Sequence, residues 1–157
     1  MTHYMELLVS NSPWNLILFM AIPVVLAETI AVTELALLFS RNLKGAARRI
    51  NRIAGAIAGV YFLGVFIYLA INAVAPITTA GEWRGPADVL AVGFYLSGVV
   101  PLLGISLLEL GIIGRRRDDT GRLKLHAIFV GVFLVVAHVA MIFGMMNPAV
   151  LGYQGSM

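Results

Sequence analysis

The stretch "WNLILFMAIPVVLAETIAVTELALLF", residues 14–39, runs with only two charged positions, Glu28 and Glu34. A helix needs roughly 20 mostly apolar residues to cross the hydrocarbon core of a bilayer. Three more such runs follow: 54–78, "AGAIAGVYFLGVFIYLAINAVAPIT"; 88–113, "DVLAVGFYLSGVVPLLGISLLELGII"; and 123–147, "LKLHAIFVGVFLVVAHVAMIFGMMN". Together they take up most of the 157 residues. The chain reads as a single all-α membrane domain, residues 1–157.

Composition agrees. The chain is 60% hydrophobic and 12% charged, with a mean hydropathy of +0.92. Soluble domains are about 45–50% apolar and about 25% charged. There is no cysteine, so disulfides, thiolate metal sites and cysteine nucleophiles are excluded. The first residues lack the basic segment of a cleavable leader, and the first apolar run exceeds a leader's core, so helix 1 is expected to be retained.

The net charge is +3, yet ten of the eleven Lys and Arg residues lie in two short loops, 40–51 and 114–126, or just beside them. That pattern is a topology signal rather than a nucleic-acid footprint. It predicts both basic loops in the cytoplasm and both termini on the outer, periplasmic side. Tyr4, Trp14, Trp83 and Tyr153 then fall at the outer interface. Short loops make neighbouring helices antiparallel, so the expected fold is an up-down-up-down four-helix bundle. Pro23 and Pro101 should distort helices 1 and 3. Asn11 or Ser12 with Pro13 should start helix 1. Gly55 and Gly59 form a small-xxx-small pair for close approach within the bundle or in a homo-oligomer.

Ionisable residues at membrane depth are expensive and mark candidate sites. Measured at 1.5 Å per residue from the outer ends of the helices, Glu34, Glu109 and His126 lie at about 30–33 Å, on three helices. Glu28 lies at about 21 Å and His138 at about 15 Å. The inner trio reads in two ways. It is either interfacial, paired with Arg41, Arg116 or Lys124, or a metal or proton site of two carboxylates and an imidazole.

In the outer set, Glu28 and His138 are expected to pair across the bundle, with Tyr61, Tyr68, Asn72 and Tyr95 extending the network. His138, Met141 and Met145 share one helix face at i, i+3 and i+7, and Met20 lies at the level of Met141. Imidazole with thioethers favours copper or a haem iron. Methionine alone is also ordinary packing. His126 and His138, about 18 Å apart on one helix, cannot both ligate one haem. His3 lies outside the bundle. No phosphate-binding loop, zinc-protease or serine-hydrolase motif is present, and nothing requires enzymatic turnover.

The stretches "PWNLILFMAIPVVLAETIAVTEL", "EWRGPADVLAVGFYLSG" and "LKLHAIFVGVFLVVAHVAMIFGM" resemble a group of small four-helix bacterial inner-membrane proteins of unknown function, some loosely labelled permeases. The resemblance covers almost the whole chain. It implies a multi-pass protein of the bacterial inner membrane and supplies no established activity. Two functions are therefore expected. The first is binding of a transition metal (copper, iron or zinc) or haem by Glu28, His138, Met141, Met145 and Met20, with Glu34, Glu109 and His126 as a second site. The alternative is a small oligomeric permease or proton- or ion-coupled transporter subunit that uses the same intramembrane Glu and His residues.

Overall fold

The computed structural model describes residues 1–42 and 44–153. These residues contain five α-helices. A short helix, α1 (His3–Val9), precedes four helices long and apolar enough to cross a membrane: α2 (Trp14–Ser40), α3 (Ala46–Ala80), α4 (Pro86–Glu109) and α5 (Asp119–Met145). A 3-10 turn, Pro148–Leu151, follows.

Each long helix carries an apolar stripe on two sides. On the inner side of α2, Ala27, Ile30, Glu34 and Leu37 recur at helical spacing and are buried. On its outer side, Val25, Val32 and Phe39 repeat every seven residues and stay exposed. The same outward heptad recurs in Ile53, Val60 and Ile67 of α3, and in Ile128, Val135 and Ile142 of α5. Continuous apolar surface of this extent has no place in water. It is the surface a lipid tail covers.

The helices pack in series, α2 along α3, α3 along the second half of α4, and α4 along α5, whereas α2 and α5 barely touch. The α3–α4 approach is the tightest, because Gly55 and Gly59 face α4 of the same chain. A Cβ on Gly59 would lie 2.4 Å from the carbonyl oxygen of Leu102 and from Ser106 Cβ. The face expected to serve within the bundle or between copies is thus occupied inside one chain. The Ser106 hydroxyl donates to the Ala56 carbonyl in the same contact, at 2.8 Å.

Three prolines shape the long helices by one mechanism. Proline lacks an N–H and its ring crowds the carbonyl four residues back. Ahead of Pro23, the turn Ile17–Ala21 is a π-helix; ahead of Pro76, so is Ala70–Val74. Ahead of Pro101, the α-helical pattern breaks at Gly98. The distortions expected at Pro23 and Pro101 are present, with a third at Pro76.

In α2 the π-turn sends the Ile22 N–H to the Ile17 carbonyl. The next carbonyls, of Leu18 and Phe19, stand five and four residues before Pro23, which has no hydrogen to give. Two tyrosines serve them instead. Tyr61 on α3 donates to Leu18 at 2.9 Å, and Tyr95 on α4 donates to Phe19 at 2.5 Å. These hydroxyls do not extend a Glu28–His138 network. They close a backbone defect and tie three helices together. Asn72 likewise donates to the Tyr68 carbonyl on its own helix.

Helix limits differ from expectation by several residues. α3 begins at Ala46 rather than 54, since "AARRIN" is itself helix-forming and keeps the buried stripe going through Asn51. α5 begins at Asp119 rather than 123, because the Asp118 carboxylate caps the Gly121 N–H. α4 ends at Glu109 rather than 113, followed by a turn through Gly111 at φ +72°. Pro13 occupies the cap position of α2 without a side-chain cap from Asn11 or Ser12.

α1 docks over the end of the bundle where α4 begins. The Thr2 hydroxyl donates to the Gly144 carbonyl at 2.7 Å. The His3 backbone N–H donates to Asp88 Oδ1, and His3 Nδ1 lies 2.5 Å from Asp88 Oδ2. His3 is thus outside the four-helix core but holds its end. Tyr4 packs on Tyr95 with ring centroids 5.0 Å apart, and burial pushes its phenol up to about 12. Arg84 grips Glu6 through both carboxylate oxygens at 2.6 and 2.8 Å.

Gly59→Ala should destabilise the fold by about 1–3 kcal/mol through overpacking. Gly64→Ala on the same helix, where an added Cβ meets nothing within 4 Å, should be neutral or slightly stabilising; thermal unfolding in detergent compares the two. The Arg84 guanidinium holds the Glu6 carboxyl below its ordinary value of 4.5. The clamp's contribution is therefore complete above that value and is lost as pH falls through the lowered one. Proteolysis at α1 should rise with acidification in that window, and Glu6→Gln should flatten the dependence.

Candidate functional site

Toward one end of the bundle, the buried stripe of each of the four long helices carries a polar residue. α2 supplies Glu34, α3 Asn51, α4 Glu109 and α5 His126. All four are at least 97% buried. The three residues expected at one depth are therefore in one cluster.

His126 is its centre. Nδ1 lies 2.7 Å from Glu34 Oε2, and Nε2 lies 3.4 Å from Glu109 Oε1. Neither ring nitrogen is aligned for a full hydrogen bond; the contacts are ionic in distance. A neutral imidazole has one N–H and one lone pair, whereas the protonated ring has two donors. Facing a carboxylate on each side, this ring has an acceptor for either proton.

Arg48 completes the cluster. Its two terminal nitrogens take the two oxygens of Glu109 at 2.7 and 2.9 Å, and one also reaches Asn51 Oδ1 at 3.2 Å. Asn51 in turn donates to Glu34 Oε2 at 3.2 Å. The expected partners Arg41, Arg116 and Lys124 are exposed and make no ion pair among the described residues. Hydropathy gives no sign of Arg48, because it places the start of α3 after this residue. Once the helix begins at Ala46, Arg48, Asn51 and Gly55 share one face at i, i+3 and i+7.

Gly55 makes the room. A Cβ there would lie 2.8 Å from Ile105, 3.4 Å from Glu109 Cγ and 3.5 Å from His126 Nε2. Beside the cluster is a cavity of about 100 Å³, lined by Arg48, Glu109, Asp119, Arg122 and His126 among others. Arg122 caps the end of α4 by donating to the Leu108 carbonyl at 2.8 Å. Its Nε and Glu34 Oε1 are buried without a protein partner. A polar cavity of this size has room for several waters.

The outer set is arranged differently. Glu28 and His138 are exposed at the bundle surface and form no bond to each other. With Met20 and Met141 they line a cavity of about 300 Å³ between α2 and α5. Met145 is not among its lining residues; it points outward and is 72% exposed. His138 Nδ1 lies 2.6 Å from the Leu134 carbonyl. A carbonyl only accepts, so Nδ1 carries the hydrogen and Nε2 is the free atom. Among the described residues, no three or more His, Asp or Glu side chains are grouped to hold a metal ion.

Removing Arg48 strands Glu109 as a buried charge, which typically costs about 3–5 kcal/mol. Arg48→Met should lower stability by that order, and adding Glu109→Gln should recover most of it. Denaturant titration in micelles measures both.

No curated protein and no solved structure matches the chain. One family model does, over residues 1–157. The chain belongs to that family, described as a family of unknown function, DUF6803.

Proposed function

We propose that this chain is a proton-coupled permease subunit, with the Glu34–His126–Glu109 cluster as its proton site. His126 between two carboxylates carries the reading. An imidazole so placed can pass a proton from one carboxylate to the other by exchanging which nitrogen holds it. The polar cavity beside it supplies a path from the loop side, with Asp119 on its wall. Arg48 favours this over a metal at the same place, because a cation already engages both oxygens of Glu109.

In the reading we favour, the helices run antiparallel, both basic loops face the cytoplasm of a bacterium, and both termini face the periplasm, in the inner membrane. The positive-inside rule supports that placement. It sets the cluster at the cytoplasmic side. Self-association, if the subunit works as an oligomer, uses a face other than Gly55 and Gly59.

The second reading is a transition metal or haem at the outer set. A metal-bound histidine ordinarily donates its other N–H to a carbonyl or carboxylate, as His138 does to Leu134. Glu28, Met20 and Met141 line the same cavity. Elemental analysis and visible absorption of purified protein test it directly.

The proton reading is tested in liposomes loaded with a pH-sensitive dye, with a potential imposed by potassium and valinomycin. The expected result is proton entry above that of empty liposomes, reduced to background in Glu34→Gln and in His126→Ala. Helical content by circular dichroism controls for folding. Flux equal to that of empty liposomes in the unmodified protein, or flux unchanged in both variants, overturns the reading.

A further inference from the structure

The groove between α2 and α5 has features that neither the proton site nor a metal uses. It is lined largely by apolar and aromatic side chains, including Phe19, Phe62, Phe94, Tyr95 and Phe133. It sits between the two long helices that barely touch, so it opens sideways toward the lipid. Its volume of about 300 Å³ is at the low end of the range of about 300–1,000 Å³ for small-molecule sites. It takes a ring-sized head while a tail leaves through the gap.

The polar groups in the groove define that head. In the membrane placement proposed above, a rise of 1.5 Å per residue sets Glu28 and His138 about 21 and 15 Å below the outer interface. A charged lipid headgroup does not sit at that depth. The head is therefore neutral and hydrogen-bonding. With Nδ1 committed to Leu134, the neutral His138 ring offers only an acceptor at Nε2. The Glu28 carboxyl likewise offers an acceptor oxygen. Among the described residues Glu28 has no hydrogen-bond or ion-pair partner. Two acceptors on an aromatic-lined slot call for a flat ring that carries two donors.

We infer that this groove binds a membrane quinol, a 1,4-dihydroxy aromatic ring with an alkyl or isoprenoid tail. One ring hydroxyl donates to His138 Nε2 and the other to Glu28. The aromatic side chains enclose the ring, and the tail passes between α2 and α5. The oxidised quinone presents an acceptor to His138 Nε2, where a donor is needed, so the groove prefers the reduced form.

The test uses the full chain in nanodiscs, with a decyl-substituted benzoquinol and the matching quinone as probes and empty nanodiscs as the blank. The expected result is saturable uptake of one quinol per chain, with the quinone about tenfold weaker. His138→Leu should abolish the preference. Ala137→Phe, which narrows the groove, should weaken both probes, and the outward-facing Val135→Phe should change neither. Glu34→Gln should leave uptake intact, which separates this site from the proton cluster. Partition equal to the blank for both probes overturns the inference. So does an undiminished preference in His138→Leu, or a stoichiometric metal that His138→Leu removes.

Discussion

The absence of a side chain at Gly55 is the constraint on which the charged end of the bundle depends. Where α3 meets α4, a methyl group would collide with Ile105 and press on both Glu109 and His126. Without it, three helices converge closely enough for one imidazole to face two carboxylates. Gly59, one turn on, sets the same spacing against the Leu102 backbone. Van der Waals packing of small residues replaces the hydrophobic drive that helices lose in lipid. Here it also sets the distances in a charged cluster. Packing and electrostatics are therefore coupled at this end.

The opposite half solves a different problem. Pro23 removes the donor that two α2 carbonyls need, and in hydrocarbon an unserved carbonyl costs several kcal/mol. Tyr61 and Tyr95 supply the missing donors from two neighbouring helices. Tyr95 also packs against Tyr4 and Phe62, which links the backbone repair to the docking of α1. The proline is tolerated because the bundle closes around it, and the bundle gains cross-links that a regular helix would not accept. The same π-turn lies beside the α2–α5 groove, since Phe19 and Pro23 line it.

Much of this architecture is legible in the sequence. Apolar length gives the four spanning helices, and a depth count brings Glu34, Glu109 and His126 to one level, where they meet. The count works because rise per residue is nearly constant, whatever the packing. It fails for azimuth. Depth alone paired Glu28 with His138, yet both face the groove without touching. Met145 fits the heptad of His138 and Met141 but lies outside the cavity lining. Arg48 was hidden by a helix start misjudged from hydropathy. A charged first turn lowers the hydropathy without weakening the helix, so the span and the helix differ in length. The tyrosine bonds were unreadable for another reason. Their acceptors are backbone carbonyls, and no side-chain pattern marks those.

The charge inventory explains how such a cluster persists in an apolar bundle. Two carboxylates face one guanidinium and one imidazole, with Asn51 bridging Arg48 and Glu34. With the ring neutral, the four groups carry one net negative charge; with the ring protonated, they carry none. In a medium of low dielectric that difference is large, so the proton count of His126 acts on all four side chains together. Arg48 is the member nearest water, with 25% of its side chain exposed against 1% for Glu109. It anchors one carboxylate from the solvent side and leaves Glu34 without a guanidinium of its own. The two carboxylates are thereby made unequal, one tied to a permanent cation and the other dependent on the histidine. In the proton site proposed above, that inequality is what would give a proton a direction in which to move, as a symmetric pair would not.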